Sequence, residues 1–142
     1  MTAPGHAPRS ASTRADGMPG VTLDTGALIA IERADRRMQA LLDEAASAGL
    51  SIAVPAGVLA QAWRDGSRQT RLARLLALPF VDVDVLDEPT ARAAGVLCGR
   101  AGTRDVVDAS VVLCARRRGD RVITGDAADL ARLDPDLAIA EL

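Results

Sequence analysis

The stretch RDVVDASVVLCARRRGDRVITGDAADL (104–130) contains a helix, a strand and the opening of a second helix. Residues 105–118 are strongly apolar until three arginines close them, the composition of a helix buried in a core. Arg116, Arg117 and Arg118 fall in its last turn, where the helix dipole favours cations. RVIT (121–124) is a short strand. Aspartates mark both junctions: Asp105 and Asp108 where the helix opens, Asp126 just past the strand. Further out, VTL (21–23) is another short apolar strand, and Asp24 follows it directly. A parallel α/β sheet gathers its strand C-termini along one edge, so acids far apart in sequence can meet in one cleft. Carboxylates forced together repel, and a divalent cation neutralises them most simply. Each acid alone has a plainer role as a helix N-cap or first-turn charge. Three at strand and helix mouths point to a hard-metal site.

The remaining segments extend the pattern. Thr25-Gly26 turns into a helix ALIAIER, and a second helix runs from Asp35 to Ala48 with Met38, Leu41, Leu42 and Ala45 as its apolar face, closed by Gly49. SIAV (51–54) is a strand, and Pro55 opens a helix carrying Val58, Leu59, Ala62 and Trp63. Beyond Gly66, Ser67 is placed to cap a helix over 68–77. FVDVDVL (80–86) alternates as a strand, 88–100 is helical up to Gly99–Gly102, 126–133 is a short helix and LAIAEL (137–142) a final edge strand. Strands separated by helices imply a three-layer α/β/α fold around a mainly parallel sheet of about five strands. Residues 1–19, rich in Pro, Gly, Ser, Ala and Arg, are read as a disordered tail, and 20–142 as one domain.

Composition removes several classes of function. The 142 residues hold one Trp, one Phe and no Tyr, too few aromatic faces for a base-stacking platform. Net charge is −2, so no global basic field holds nucleic acid, although all 17 cations are Arg, the better phosphate ligand. The single histidine, His6, lies in the tail, which argues against a histidine triad or zinc site. Cys98 and Cys114 lack metal-ligand spacing and read as buried free thiols of a reducing cytoplasm. No apolar run approaches the roughly 20 residues of a membrane span, and no signal-peptide core is present at the start. A cytoplasmic protein with no membrane partner is expected. DTG (24–26) is shared with aspartic proteases, but those are all-β and this chain is helical and Ala-rich. GTRDVVDAS (102–110) has neither the glycine run nor the Lys of a P-loop.

The successive segments LDTGALIA, VPAGVLAQAWR, DVVDASVV and VITGD resemble the motifs of PIN-domain ribonucleases, specifically the VapC toxins of toxin–antitoxin pairs. The resemblance covers nearly the whole chain after Val21, and DVVDASVVLCA and VITGDAADL are its most specific part. It implies a PIN-like domain and a metal-dependent endoribonuclease. Asp24 matches the first metal-binding acid, Asp108 the third and Asp126 the fourth, with Thr124 as the small hydroxyl residue before the last. Asp105, one helical turn before Asp108, shares its face and can join the cluster. The implied cofactor is Mg²⁺ or Mn²⁺, lowering the pKa of water for in-line attack on phosphorus. The implied partners are an RNA substrate, a cognate VapB-like antitoxin and a second copy in a homodimer.

One position departs from the family pattern. The family usually places Glu on the helix after the second strand, and here Ala60 is followed by Gln61. A neutral amide can offer a carbonyl oxygen to a metal but supplies no charge. Glu32, two turns beyond Asp24, is the nearest replacement acid. The alternative function is therefore a PIN-fold module, impaired in catalysis, that binds RNA or protein. Arg64, Arg68, Arg71 and Arg74 recur at spacings of four, three and three, as a basic face for RNA phosphates or an ordinary solvated face. Trp63 belongs to the core or to a dimer or antitoxin interface.

Overall fold

Each strand but the last is followed by at least one helix, and parallel pairing throughout is the consequence. In a computed structural model that describes residues 20–142, five strands form one sheet: β1 (Val21–Leu23), β2 (Ile52–Pro55), β3 (Val81–Asp84), β4 (Arg121–Thr124) and β5 (Ile139–Glu141). The segment 1–19, read as a tail, and His6 within it lie outside the described residues. The spatial order is β3-β2-β1-β4-β5, with every neighbouring pair parallel. Val21 of β1 stands opposite Ile52 on one side and Arg121 on the other. The chain builds outward from β1 to β3, then crosses back to begin β4 on the far side of β1. Strand order therefore reverses between β1 and β4, the crevice where open α/β sheets place their ligands.

Seven helices cover the sheet in a three-layer α/β/α arrangement: α1 (Thr25–Glu32), α2 (Arg36–Ser47), α3 (Ala56–Ala62), α4 (Thr70–Leu76), α5 (Glu88–Ala101), α6 (Val106–Arg118) and α7 (Ala127–Leu133). α6 is the central one. It packs on β1, β2 and β4 as well as on α5 and α7. Its small side chains Ala109, Ser110, Val111, Val112, Cys114 and Ala115 are all buried, which lets it approach the sheet closely. Gly119 ends it in the left-handed region at φ 71°, a conformation that costs glycine nothing. The core is aliphatic, built on Leu23, Leu28, Met38, Ile52, Val58, Leu72, Val111 and Leu130. Trp63 is half-buried and packs against that core. Cys98 and Cys114 are buried free thiols, and burial foremost pushes the Cys114 thiol up to about 12. Among the described residues no helix is long and apolar enough to cross a membrane.

The departures from sequence expectation are local. β3 and β5 are shorter than the alternating runs 80–86 and 137–142, because each is an edge strand paired on one side only. α1 starts at Thr25, two residues early, because Asp24 caps it: Oδ1 accepts from the Ala27 N–H at 2.9 Å. Ser67 does not cap a helix. Its N–H and hydroxyl donate to Asp65 Oδ1 at 3.0 and 2.7 Å, a self-contained turn, and α4 begins only at Thr70.

Candidate active site

The first acid is fixed where β1 gives way to α1. Asp24 is only 6% exposed, and both its carboxylate oxygens are held. Oδ1 takes the Ala27 N–H, while Oδ2 accepts the Thr124 hydroxyl from the end of β4. The same Thr124 oxygen accepts the Asp126 N–H at 2.8 Å. One buried hydroxyl thus staples the β1–α1 turn to the β4–α7 turn and orients two of the expected acids at once. The turns touch through bare backbone. A Cβ on Gly26 would meet Gly125 Cα and N at 3.1 Å, so DTG accepts a larger residue only with a shift, whereas a Cβ on Gly125 would stand in ordinary contact 3.5 Å from Gly26 Cα.

The remaining acids come from α6 and α7. Asp105 is the N-cap of α6, its Oδ1 accepting the Asp108 N–H at 2.9 Å, and Asp108 stands in the first turn. Asp126 caps α7 in the same manner by accepting from Asp129 N–H at 3.3 Å. Asp129, in the first turn of α7, joins Thr103, Asp105, Asp108, Arg132 and Leu133 around a cavity of about 120 Å³.

Electrostatics set this group apart. Burial, and then the negative charges of Asp105, Asp129 and Asp24, push the Asp108 carboxyl up to about 7. Burial raises Asp24 too, against the opposing hydrogen bonds from Thr124, Ala27 and Gly125, with Asp126 adding repulsion. Asp129 is raised by its hydrogen bond with Asp126 and by that residue's charge. Among the described residues no three His, Cys, Asp or Glu side chains are close enough together to hold one ion. The acids instead stand as interacting neighbours, repelling one another across the switch point. Hard carboxylate oxygens in mutual repulsion fit a divalent cation in their chemistry.

Gln61 reaches the same place. Its Oε1 accepts the Thr25 hydroxyl at 2.5 Å, beside Asp24. Glu32, the replacement acid expected from the sequence, is engaged elsewhere. It ends α1, about 12 Å along the axis from Asp24 at 1.5 Å per residue, and its carboxylate accepts the Gln69 amide at 2.9 Å. Gln69 itself is buried and unforeseen. Its Nε2 also donates to Ala62 O at 2.8 Å, and its Oε1 accepts the Arg64 and Asp65 N–H groups at 2.7 and 2.9 Å, building the turn between α3 and α4. That turn breaks the arginine face, because Arg64 and Arg68 lie between the helices rather than on one. Arg64 folds back onto Ala60 O and Trp63 O at 3.1 and 2.7 Å, Arg68 sits 3.8 Å from Asp65, and Arg71 points to Glu32 O at 3.5 Å.

The sequence matches the PIN domain family over residues 21–134. The chain belongs to the PIN-domain family. Three solved structures share the fold at low identity. VapBC2 from Rickettsia felis, bound to a DNA fragment from their promoter, superposes with a TM-score of 0.66 at 17% identity, over 86% of this chain and 98% of that one. FitAB bound to an IR36 DNA fragment gives 0.60 at 19%, over 85% and 94%. FitAcB from Neisseria gonorrhoeae gives 0.56 at 20%, over 84% and 95%. No curated protein sequence matches the chain.

Proposed function

We propose that the protein is a metal-dependent endoribonuclease, the toxin of a VapBC-like toxin–antitoxin pair. The observation that carries this reading is the group of aspartates from three distant segments, acting on one another at the switch point between β1 and β4. Asp24, Asp108 and Asp126 would hold Mg²⁺ or Mn²⁺, with Asp105 at the rim. The ion would supply Lewis acidity, activating water and stabilising the charge that develops on a scissile phosphodiester. The chain's own part is positioning. Thr124 fixes Asp24 and Asp126 in one motion, Ala27 N–H fixes the other Asp24 oxygen, and the Gly26–Gly125 contact keeps the two turns together. Burial, and then the charges of Asp105, Asp129 and Asp24, hold Asp108 partly protonated near neutrality.

The similarity to structures of toxin–antitoxin complexes supports an antitoxin partner; an RNA substrate and a second copy of the chain belong to the same proposal. Gln61 favours the second reading, a PIN module that binds RNA or protein without cleaving it. Purified protein incubated with RNA in Mn²⁺, in EDTA, and as Asp108→Asn separates the two. The nuclease reading expects cleavage in Mn²⁺ alone, reduced at least about a hundredfold by the substitution. RNA that is bound and left intact by the parent supports the module instead.

A further inference from the structure

Gln61 stands where the family pattern has an acid, and its surroundings give it a different task. Its carbonyl oxygen is already occupied by the Thr25 hydroxyl at 2.5 Å, next to Asp24. Its amide nitrogen has no partner among the described residues, and the side chain is exposed. Gly57, one turn earlier on the same face of α3, abuts α6, since a Cβ there would lie 3.5 Å from Val107 Cγ2. Gln61 therefore sits between the Asp24 turn and the mouth of α6, where Asp108 follows Val107. The cations that follow α3 are otherwise engaged: Arg64 on Ala60 O and Trp63 O, Arg68 on Asp65.

Resting on the nuclease reading above, we infer that Gln61 is a substrate-contact residue, its amide N–H groups donating to a phosphate oxygen of the bound strand, with Thr25 as the residue that aims it. A carboxylate at this position has no donor and repels phosphate unless a cation intervenes. An amide whose oxygen is tied back presents two donors. In a cleft already crowded with negative charge, that removes one repulsion and adds one attraction.

The test measures two affinities on the full chain: Mn²⁺ alone by calorimetry, and a randomised single-stranded RNA 20-mer pool by fluorescence anisotropy. The RNA is bound in Ca²⁺, ligated by the same oxygens, with its integrity checked on a gel. Gln61→Ala should leave Mn²⁺ affinity within about twofold and weaken RNA binding about tenfold, the scale of one hydrogen bond to a charged group. Thr25→Val should reproduce part of that loss and add nothing to Gln61→Ala, while Thr25→Ser restores it. A drop in Mn²⁺ affinity in Gln61→Ala makes the residue a metal ligand and overturns the inference, as does RNA binding equal to the parent's. A parent that binds Mn²⁺ and RNA while Gln61→Ala behaves identically sinks the role of Gln61 alone. A parent that binds neither sinks the nuclease reading and this role with it.

Discussion

The two ends of α6 are both rich in charge and solve opposite problems. At its C-terminus three consecutive arginines each find an aspartate: Arg116 meets Asp134 at 2.8 Å, Arg117 meets Asp84 at 2.5 Å and Arg118 meets Asp120 at 3.0 Å. Asp120, its side chain fully buried, also accepts the Gly20 N–H at 3.0 Å and the Thr22 hydroxyl at 2.9 Å. At the N-terminus burial, and then the charges of Asp105, Asp129 and Asp24, push the Asp108 carboxyl up, and a hydrogen bond with Asp126 and that residue's charge raise Asp129. Both ends have the sign the helix dipole favours, so the dipole does not explain the difference. Pairing does. Charges at the paired end are neutralised within the chain, and those at the crowded end face one another, where the nuclease reading proposed above would have a bound cation neutralise them.

That contrast breaks most visibly at the paired end. Arg118→Met removes a cation 3.0 Å from the Asp120 carboxylate in the core, where the two side chains are only 7% and 0% exposed. Loss of one partner from such a pair costs about 3–5 kcal/mol. Urea unfolding should show it, and the surviving folded fraction should keep its RNA cleavage.

Asp108→Asn attacks the crowded end and should run the other way in stability. In the folded chain Asp108 releases its proton at about 7, against an ordinary 3.8. The folded state therefore binds more protons than the unfolded one between those values, and stability falls as pH rises through that window. The penalty is complete above pH 7 and gone below about 4. In EDTA at pH 8 the variant should melt a few degrees above the parent, the advantage shrinking as the pH is lowered. A variant less stable than the parent at pH 8 would mean that Asp108 is a structural cap.

Gly26→Ala sharpens the geometry between the two turns. The added methyl meets Gly125 backbone at 3.1 Å, so stability should drop by about 1–2 kcal/mol, with a larger proportional loss of Mn²⁺ affinity. The smallest effect belongs to Arg92, whose bridge to Glu88 at 2.7 Å is 79% and 73% exposed. Arg92→Ala should change stability by less than about 0.5 kcal/mol and activity not at all.

The fold was legible because its signals are periodic and strong. VTL, SIAV and RVIT are strands between helices, and the apolar run after Asp105 could only be a central helix. Asp24, Asp108 and Asp126 were visible because each follows a strand or opens a helix. What sequence concealed was made by side chains acting across a turn. The arginine spacing of four, three and three is helical arithmetic carried through Gly66, where no helix exists. The reason is Gln69, whose amide satisfies the backbone of residues 62–65 and claims Glu32 as well. No local pattern marks a glutamine for that work. Asp129 was hidden differently: three residues after an N-cap acid it reads as first-turn charge, and only the approach of α7 to the mouth of α6 brings it to Asp105 and Asp108.

The central claim is that the acids at the mouth of α6 await a divalent cation. Calorimetric titration of Mn²⁺ into the metal-free parent, Asp108→Asn and Arg116→Gln tests it directly. The parent and Arg116→Gln, altered only at the paired end, should give the same saturable binding, and Asp108→Asn should lose at least about tenfold in affinity. Equal binding in all three proteins, or no saturable heat in the parent, would contradict the account.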